Sequence, residues 1–485
     1  MRHNKIVASI LILIIINLPW LLSCAVNPVT GKSELMLLSE SDEIQLGQQS
    51  DKEIVAQYGL YNDQQLQTYI EQLGQKMVPV SHRPNLAFSF RLLDSPVINA
   101  FAVPGGYVYI TRGILAYLNN EAELAGVMGH EIGHVAARHS AKQYTKAQIA
   151  QLGLGVGTIL SEDFRKYAGL AQVGVGLIFL RFSRDAERQA DDLGVEYSSK
   201  VGYNSYEMAN FFHTLDQMTP SEDKGGLPGW FSTHPNPADR VDAVRADAAE
   251  WQAKLGSQNW KVNRDIYLQK INGLVFGDDP RQGYVENNVF YHPDLTFEFP
   301  TPTGWNVINT PTQVQMVNEN QDAIILFQIA EGNTPSDAAN KFVTDSKASV
   351  VSSDGTTVNG FSAHKVISDI SSDQGQLRIL SYFIKKGNNV FVFHGFTTQA
   401  SFGQHQQTFQ NTMVGFRNLT EQSKINVKPD KVVVKKVSTP TTLEQALKSF
   451  GVADDKLNET ALLNGMELSN SIAANTFIKY IEKAK

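Results

Sequence analysis

Apolar residues recur every three or four positions over residues 39–79, between Gln, Asp and Glu residues. Leu66, Ile70, Leu73 and Met77 show this spacing most clearly. Because three to four residues make one helical turn, such positions share one face of a helix. The pattern therefore predicts helices over this stretch.

The pattern next to it is that of a small β-sheet. Apolar and polar residues alternate over residues 86–93, which predicts a strand. Residues 97–103 and 107–110 are two further predicted strands, separated by a Pro-Gly-Gly turn at residues 104–106. One strand of this sheet could present an open edge to an extended peptide. A hairpin that only covers the neighbouring helix is the alternative.

Two apolar runs interrupted by glycines lie within residues 147–180. Neither run reaches the roughly 20 residues that a membrane-spanning helix needs. We therefore expect a helical hairpin that could form one flap of an active site. Surface contact with a membrane is the alternative.

Beyond Trp251 the pattern changes again. A connecting helix and loop are predicted over residues 263–282, and a second helix over residues 336–346. Strand-like segments are residues 295–299, 323–329, 377–384 and 390–396. We expect a small α+β domain without catalytic residues that docks a partner or restricts access.

The last part of the chain begins with a basic segment, residues 425–442, which includes three valines at 432–434 and two prolines. We expect a linker with some extended structure here. The tail that follows resembles a LysM-type glycan-binding module, and the Leu-Asn-Gly turn at residues 463–465 is its most specific part. The usual Gly-Asp opening is replaced by Pro-Thr-Thr at residues 440–442. Glycan binding and protein docking both stay open.

The N-terminus has the pattern of a secretory signal. A basic start precedes the apolar residues 6–18, and Leu-Leu-Ser-Cys follows at residues 21–24. This segment resembles a bacterial lipoprotein processing box, which implies that Cys24 is lipidated and becomes the mature N-terminus. Ala25 then favours sorting to the outer membrane. An uncleaved anchor or a buried thiol is the alternative.

Composition sets limits on the whole chain. Its 485 residues are enough for about three domains. Cys24 is the only cysteine, so intramolecular disulfides are impossible. The formal net charge of −7 gives no indication of nucleic-acid binding.

The clearest chemistry is the sequence His-Glu-x-x-His at residues 130–134. His130 and His134 lie four apart on a predicted helix and therefore on one face, so both imidazoles can bind one zinc ion. Glu131 can then reach a water on that metal. Asn119 or Asn120 can cap the helix. Because an accidental match in an ordinary core helix is the alternative, a third ligand is needed.

An acidic segment at residues 183–194 offers that ligand. Glu187 and Asp191 are four apart and share a helical face. Glu187 suits the third zinc position, which leaves a fourth position for water. Asp191 could orient a ligand histidine or take part in proton transfer. A solvated acidic face is the alternative, but two imidazoles alone make an incomplete catalytic zinc site.

Two later residues are further candidates. His234, which precedes Pro235, could reach the open zinc position or donate to a developing oxyanion. Arg240 could pair with an acidic group of the site or with the substrate backbone. His139 lies five residues after His134, so we expect it far round the helix and do not expect it to be a ligand.

Together these motifs resemble the gluzincin metallopeptidases, the family of the CAAX prenyl endopeptidase and the heat-shock protease HtpX. Within the family, the β-barrel-assembly-enhancing type is the most similar. The resemblance covers about residues 27–251 and rests on segments in the family's order: Asn99-Ala100-Phe101, Pro104-Gly105-Gly106, His130-Glu131-x-x-His134, Ser183-Arg184-x-x-Glu187-x-x-x-Asp191, and His234-Pro235 with Arg240.

The resemblance implies one Zn²⁺ per chain, bound by His130, His134 and Glu187. It also implies Glu131 as general base, Asp191 as an assisting acid, and the first of these segments as the strand that aligns the substrate. The transmembrane members of the family span the membrane repeatedly, and this sequence has no such spans. We therefore do not expect a prenylated substrate.

The predicted fold class is α+β. A mainly helical zincin-type metalloprotease domain with a small β-sheet is followed by a small α+β domain and a LysM-like tail. The expected boundaries are a lipoprotein signal peptide at residues 1–23, the metalloprotease domain at 24–262, the accessory domain at 263–420, a linker at 421–441 and the LysM-like module at 442–485.

The predicted function is that of a zinc endopeptidase of the bacterial cell envelope that hydrolyses misfolded or stalled envelope proteins. The lipid on Cys24 would hold it at the membrane, facing the periplasm, with the outer membrane as the expected site. Besides protein substrates, peptidoglycan or the envelope assembly machinery would be partners. The alternative is an assembly factor or peptidoglycan-binding lipoprotein with a latent protease site. The complete ligand set favours the peptidase, because a scaffold has no need of it.

Overall fold

The computed structural model describes residues 24–151, 177, 181–218, 229–234, 240–256, 258–372 and 375–484. The expected signal peptide and most of the hairpin expected over residues 147–180 lie outside these residues. Among the helices that are described, none combines the length and the apolar character needed to cross a bilayer. The mixture of helices and several separate sheets agrees with the predicted α+β class.

Two compact units can be distinguished in the described chain. The first contains residues up to 55, residues 59–276 and residues 431–482. The second contains residues 277–430 with residues 56–58 and the end of the chain. Most of the second unit is thus a single insertion between residues 276 and 431 of the first.

The first unit opens with a hairpin, two long helices and a small sheet. These elements are β1 (Cys24–Val26), β2 (Ser33–Leu35), α1 (Glu40–Tyr58), α2 (Gln64–Met77), β3 (Ser89–Leu93), β4 (Ala100–Val103), β5 (Tyr107–Thr111) and α3 (Arg112–Tyr117). The part of the chain that the structure describes then contains seven helices: α4 (Glu121–Ala136), α5 (His139–Gln151), α6 (Arg184–Lys200), α7 (Tyr206–Asp216), α8 (Trp230–Thr233), α9 (Arg240–Leu255) and α10 (Arg264–Lys270).

Local sequence explains the start and packing of α2. The side chain of Asp63 accepts a hydrogen bond from the backbone of Leu66 at 2.9 Å and caps the helix. The predicted apolar stripe of α2 is buried in the core. A Cβ atom at Gly74 would lie 2.5 Å from the Phe90 ring, so glycine allows α2 to pack directly on β3.

The three-stranded sheet has the order β3-β5-β4. β3 is parallel to β5 and β4 is antiparallel to it, which leaves β4 at an edge of the described sheet. The strands predicted over residues 86–93, 97–103 and 107–110 are therefore confirmed, with shorter bounds for the first two.

The second unit is built around a seven-stranded antiparallel sheet of order β12-β13-β14-β15-β11-β10-β9 and a four-stranded sheet of order β16-β8-β7-β6. Its elements are β6 (Tyr284–Glu286), β7 (Val289–His292), β8 (Phe297–Pro300), β9 (Asn306–Asn309), β10 (Gln313–Val317), β11 (Ala323–Ala330), α11 (Pro335–Asp345), β12 (Ser349–Val358), β13 (Phe361–Ser372), β14 (Gly375–Lys386), β15 (Asn389–Thr398), α12 (Phe402–Val414), β16 (Arg417–Asn418) and α13 (Gln422–Ile425).

The sequence pattern missed two long strands and a helix of this unit, β12, β13 and α12. Nearly all residues of β12 are exposed and most are Ser, Thr or Asp, so the strand has no apolar alternation. β12 is held as an edge strand by its register with β13, in which Val358 pairs with Phe361. Because β12 has no buried face, its sequence shows no alternation of apolar and polar residues, and its pairing with β13 cannot be predicted from the sequence pattern.

The chain then returns to the first unit. The returning elements are β17 (Lys431–Lys436), β18 (Thr441–Thr442), α14 (Leu443–Ser449), α15 (Leu457–Leu463), β19 (Ser471–Ile472) and β20 (Phe477–Glu482). β17 lies within the expected linker and pairs antiparallel with β20. Val432 exchanges backbone hydrogen bonds of 2.8 Å with Gly273 and Leu274, which joins this tail to the residues before the second unit. Its LysM-like character stays a prediction.

Candidate metal centre

Two helices supply most of the candidate residues. Asn120 caps α4, because its side-chain oxygen accepts a hydrogen bond from the backbone of Glu123 at 2.8 Å. Ser183 caps α6 in the same way, through the backbone of Ala186 at 3.3 Å. All sixteen residues of α4 are buried, including the His-Glu-x-x-His residues.

Small residues let the two helices touch. A Cβ atom at Gly129 would lie 3.0 Å from the backbone oxygen of Gly194, and one at Gly133 would lie 3.0 Å from Leu193. Because neither glycine has a Cβ atom, the backbones of α4 and α6 approach closely. This approach brings the acidic residues of α6 to the histidines of α4.

Four side chains converge between these helices: His130, His134, Glu187 and His234. All four are fully buried. One ligand atom of each lies within 4.8 Å of those of the other three. His130 Nε2 lies 3.0 Å from His134 Nε2 and 3.7 Å from Glu187 Oε2, and His134 Nε2 lies 3.5 Å from Glu187 Oε1.

The donor set fits a divalent transition metal. Ligand atoms at about 2.0–2.2 Å from a tetrahedral zinc ion lie about 3.3–3.6 Å from each other, which is close to the distances between His130, His134 and Glu187. Imidazole nitrogen with carboxylate oxygen is also a donor combination that suits zinc. His130, His134 and Glu187 could therefore hold such an ion.

His234 is the fourth member of the cluster. Its Nδ1 atom lies 3.1 Å from Glu187 Oε1 and 3.3 Å from His130 Nε2. The indole ring of Trp230 stacks on it, with 4.4 Å between ring centroids. The backbone of Trp230 in turn donates a hydrogen bond to Ile98 O at 2.9 Å, next to the predicted substrate strand. Pro235, the other half of the predicted motif, lies outside the described residues.

Glu131 lies beside the four donors but outside the set. Its carboxylate is buried, and neither of its oxygens has a hydrogen-bond partner among the described residues. The nearest ionisable contact is His234 Nε2, at 3.6 Å from Oε1. Burial raises the pKa of Glu131, which favours its protonated form.

Asp191 and Arg240 brace His130 from behind. Asp191 Oδ1 lies 2.9 Å from His130 Nδ1. Arg240 donates from Nε to Asp191 Oδ2 at 2.8 Å and from Nη2 to Asp191 Oδ1 at 2.6 Å. Burial opposes ionisation of Asp191, but the charge of Arg240 and these hydrogen bonds lower its pKa below the usual range. A carboxylate on one imidazole nitrogen leaves the other nitrogen, Nε2, for the metal.

Glu187 is ionised for a similar reason. Burial alone would raise its pKa, but His234, His130 and Arg240 together lower it. The Arg240 guanidinium lies 3.5 Å from Glu187 Oε2. Arg240 therefore favours the ionised form of two buried carboxylates.

His134 has different neighbours. The Phe182 ring stacks on it at 4.0 Å between centroids, and His139 Nδ1 lies 2.9 Å from His134 Nδ1. Burial lowers the pKa of His134 well below its usual value and that of His139 to about 4. His139 is outside the four-donor group, but its expected position far round the helix is wrong, because it lies directly against His134.

The remaining predicted site residues are found in two places. Asn99 precedes β4, where its backbone donates to Thr111 Oγ1 at 3.2 Å, and Ala100 and Phe101 are the first residues of that edge strand. Cys24 belongs to β1, where it pairs with Leu35. Phe182 and Trp230 were not predicted, since an aromatic residue near a motif gives no signal of its own.

Comparison with known proteins adds the family. Residues 64–248, which include all the candidate metal and catalytic residues, match the model of peptidase family M48. The β-barrel assembly-enhancing protease of Escherichia coli K12 is 31% identical over 257 residues, which are 51% of each chain. The metalloprotease YcaL of the same organism is 31% identical over 165 residues, 32% of this chain and 61% of that protein.

A eukaryotic protein is also similar to part of this chain. The mitochondrial metalloendopeptidase OMA1 of Schizosaccharomyces pombe is 26% identical over 232 residues, which cover 47% of this chain and 67% of that protein. The chain spans about half the length of the first of these relatives. The match to the family model includes the region of the metal cluster. The predicted resemblance is thereby confirmed: residues 64–248 are similar to peptidase family M48, and the chain is similar to metallopeptidases such as the β-barrel assembly-enhancing protease and YcaL.

Proposed function

We propose that this protein is a zinc-dependent endopeptidase of the bacterial cell envelope that hydrolyses peptide bonds in misfolded or stalled envelope proteins. The observation that carries the proposal is the buried group of two imidazoles and one carboxylate with Glu131 beside it. A zinc ion bound there would polarise the scissile carbonyl and lower the pKa of a water molecule towards about 7.

Glu131 is the residue that would move the proton. Its two oxygens lack hydrogen-bond partners among the described residues, so they can accept a proton from the attacking water. Asp191 and Arg240 would hold His130 in place during the reaction, and His234 could donate to the developing oxyanion.

The substrate would lie along β4. The position of β4 at the edge of the described sheet supports this, because an extended peptide can add to an edge by backbone hydrogen bonds. Asn99, Ala100 and Phe101 would then set the register of the peptide beside α4. Misfolded proteins are suitable substrates, since they expose extended segments.

The envelope location rests on two supports. One is the lipoprotein-like segment that ends at Cys24, which would anchor the chain to the outer membrane with its domains in the periplasm. The other is the name of the relatives that enhance β-barrel assembly. For the tail at residues 442–485 we propose a LysM-like module that binds peptidoglycan or docks a protein.

One observation favours a second function, an assembly factor whose protease site is latent. His234 belongs to the four-donor cluster, and a fourth protein ligand is typical of structural zinc sites, whereas catalytic sites keep a position open. If His234 is the fourth zinc ligand, it would have to move away from the metal before a substrate could bind.

The experiment compares casein cleavage by wild type, Glu131→Gln and His234→Ala, each loaded with zinc. We expect Glu131→Gln to keep its zinc and fold but to lose activity by at least about 100-fold, because the proton acceptor is gone. Glu250→Gln, which removes an exposed carboxylate of α9, is the matched control and should keep full activity.

Unchanged cleavage by Glu131→Gln would contradict the proposed mechanism. Faster cleavage by His234→Ala than by wild type would show that His234 blocks the site at rest. If none of the zinc-loaded proteins cleaves casein while wild type and Glu131→Gln both support envelope assembly, the assembly-factor function is supported instead.

A further inference from the structure

His139, the first residue of α5, contacts one candidate ligand from outside the cluster. Its Nδ1 atom lies 2.9 Å from Nδ1 of His134, and the two rings meet edge to face at 71°. On its other side, His139 Nε2 lies 3.0 Å from Oε1 of Gln189. His139 is buried, with 5% of its surface exposed.

The contacts from His134 through His139 to Gln189 indicate which ring nitrogen of each histidine carries the proton. His134 Nε2 faces His130 and Glu187, so a neutral His134 that binds a metal there carries its proton on Nδ1. That proton is donated to Nδ1 of His139. A neutral His139 that accepts at Nδ1 carries its own proton on Nε2 and donates it to the Gln189 oxygen, which is an acceptor only.

We propose that His139 is a positioning residue for the metal centre, which fixes the tautomer and the ring orientation of His134 while Gln189 fixes those of His139. This inference rests on the proposed metal site. The two histidine ligands are then held differently: a carboxylate braced by Arg240 holds His130, and a neutral imidazole–amide pair holds His134.

The backbone is built to put His139 there. On a continuous helix, a residue five positions after His134 would point away from it, since each residue turns by about 100°. Instead α4 ends at Ala136, and Arg138 adopts a left-handed conformation with φ of 59°, which L-residues seldom adopt. This turn starts α5 in a new direction and brings the ring of His139 back to His134.

Ion pairs hold the turn in place. The Arg138 guanidinium pairs with buried Glu43 and donates to Leu38 O at 2.9 Å. Glu43 also accepts from Arg83 at 2.9 Å. A left-handed conformation costs an arginine conformational energy. Its fixation by Glu43 and Leu38, which lie outside α4 and α5, agrees with a defined role for His139, the residue that follows it.

The test measures zinc affinity of the full chain by competition with a chromophoric chelator. We expect His139→Leu to bind zinc about 10–100-fold more weakly than wild type, because His134 loses its partner. His139→Asn keeps an acceptor at the position of Nδ1 and should restore most of the affinity. His213→Leu, which removes an exposed histidine of α7, is the control.

A second readout is independent of activity and of metal affinity. In the wild type, ¹⁵N-histidine NMR should show the proton of His134 on Nδ1, and His139→Leu should abolish its hydrogen bond. Wild-type zinc affinity together with an unchanged His134 signal in His139→Leu would overturn the proposal. If His139→Leu does not fold, Gln189→Leu replaces it. A change of both the His139 signal and the zinc affinity in Gln189→Leu supports the proposal. If both are as in the wild type, the proposal is overturned.

These measurements separate this inference from the proposed function. A wild type that binds zinc but cleaves no casein would contradict the endopeptidase, while the ratio of zinc affinities between His139→Leu and wild type would still decide the role of His139.

Discussion

Three buried charges meet next to the imidazole of His130. Asp191 and Glu187 are fully buried carboxylates, and Arg240, 3% exposed, contacts both. The ring of Phe212 lies 4.2 Å from the Arg240 guanidinium and covers one of its faces. Arg240 therefore stabilises both buried anions, and the imidazoles of His234 and His130 contribute to the stabilisation of Glu187.

Replacing Arg240 by methionine should destabilise the first unit strongly. The variant keeps much of the side-chain volume but removes the guanidinium from both carboxylates, and breaking such a buried pair costs about 3–5 kcal/mol. Urea unfolding of the metal-free protein measures the loss. Arg245→Met on the same helix is the control, because Arg245 is half exposed and lies 3.8 Å from the exposed Asp242. Equal stability of the two variants would contradict the arrangement.

A buried histidine, His394, should make the stability of the second unit depend on pH. His394 on β15 is buried between Phe342 and Phe383, and Ser381 Oγ lies 2.8 Å from its Nδ1. Burial lowers the pKa of His394 to about 4. Because the unfolded chain has a pKa near 6.5, the contribution of His394 is complete above pH 6.5 and is lost as the pH falls towards 4.

We therefore expect the difference in unfolding free energy between wild type and His394→Gln to change by about 3 kcal/mol between pH 7 and pH 4, with the wild type losing more. Urea unfolding at several pH values gives this difference. His292 titrates in the same range, and the comparison with His394→Gln removes its effect, since both proteins contain it. A difference that is constant with pH would show that the pKa of His394 is the same in the folded and the unfolded protein.

The sequence predicts the cluster well because its residues are related by helical spacing. His130 with His134 and Glu187 with Asp191 are each four apart, so one rule places each pair on a face. His139 could not be placed in this way. Its position depends on the turn at Arg138, and that turn depends on Glu43, which lies 95 residues earlier in the chain. A residue held by such a distant partner has no local signal.

At the scale of elements, a buried lysine joins the returning tail to the segment that leads into α4, the helix with the His-Glu-x-x-His residues. Lys479 on β20 is fully buried, and its ammonium donates to Ala116 O at 2.8 Å and to Leu118 O at 2.7 Å. Ala116 belongs to α3 and Leu118 caps the end of α3, two residues before Asn120, the N-cap of α4. Burial lowers the pKa of Lys479 well below its usual value, while the nearby carboxyl of Glu123 acts in the opposite direction.

Lys479→Met should weaken the attachment of β20 to the first unit. Two buried carbonyls lose their donor, and hydrogen bonds to a charged group contribute about 1.5–3 kcal/mol each at most. We expect a lower urea midpoint and faster tryptic cleavage within residues 431–482. Lys448→Met is the control, since Lys448 is half exposed and pairs with Glu444 at the surface of α14. If both variants resist trypsin as the wild type does, the tail is held by its other contacts.

This attachment also explains why the tail was predicted as a separate module after a linker. β17 is short and basic, which is typical of a linker, and its strand character comes from pairing with β20 and from the bonds of Val432. Both partners lie far away in sequence. The periodicity of α14 and α15 was visible, because helical spacing is local, but their membership of the first unit was not.

For the whole molecule, the two units have separate cores. The core of the first is made of residues from α2 to α10 with Val432 and Leu463, and that of the second contains a cluster of phenylalanines that includes Phe297, Phe299 and Phe393. The described metal-ligand cluster lies entirely in the first. A ligand that binds only the folded first unit stabilises that unit alone.

Removal of zinc should therefore lower the melting temperature of one unit only. At a free zinc concentration of 1,000 times the dissociation constant, binding stabilises a folded site by about 4 kcal/mol, and a chelator abolishes this contribution. Scanning calorimetry of the full chain should show two transitions, of which EDTA shifts one. The fragment of residues 277–430 identifies the other, because it contains the core of the second unit and none of the four donors. If EDTA shifts both transitions equally, the two units unfold together; if it shifts neither, the four donors do not bind zinc, and the proposed peptidase loses its metal.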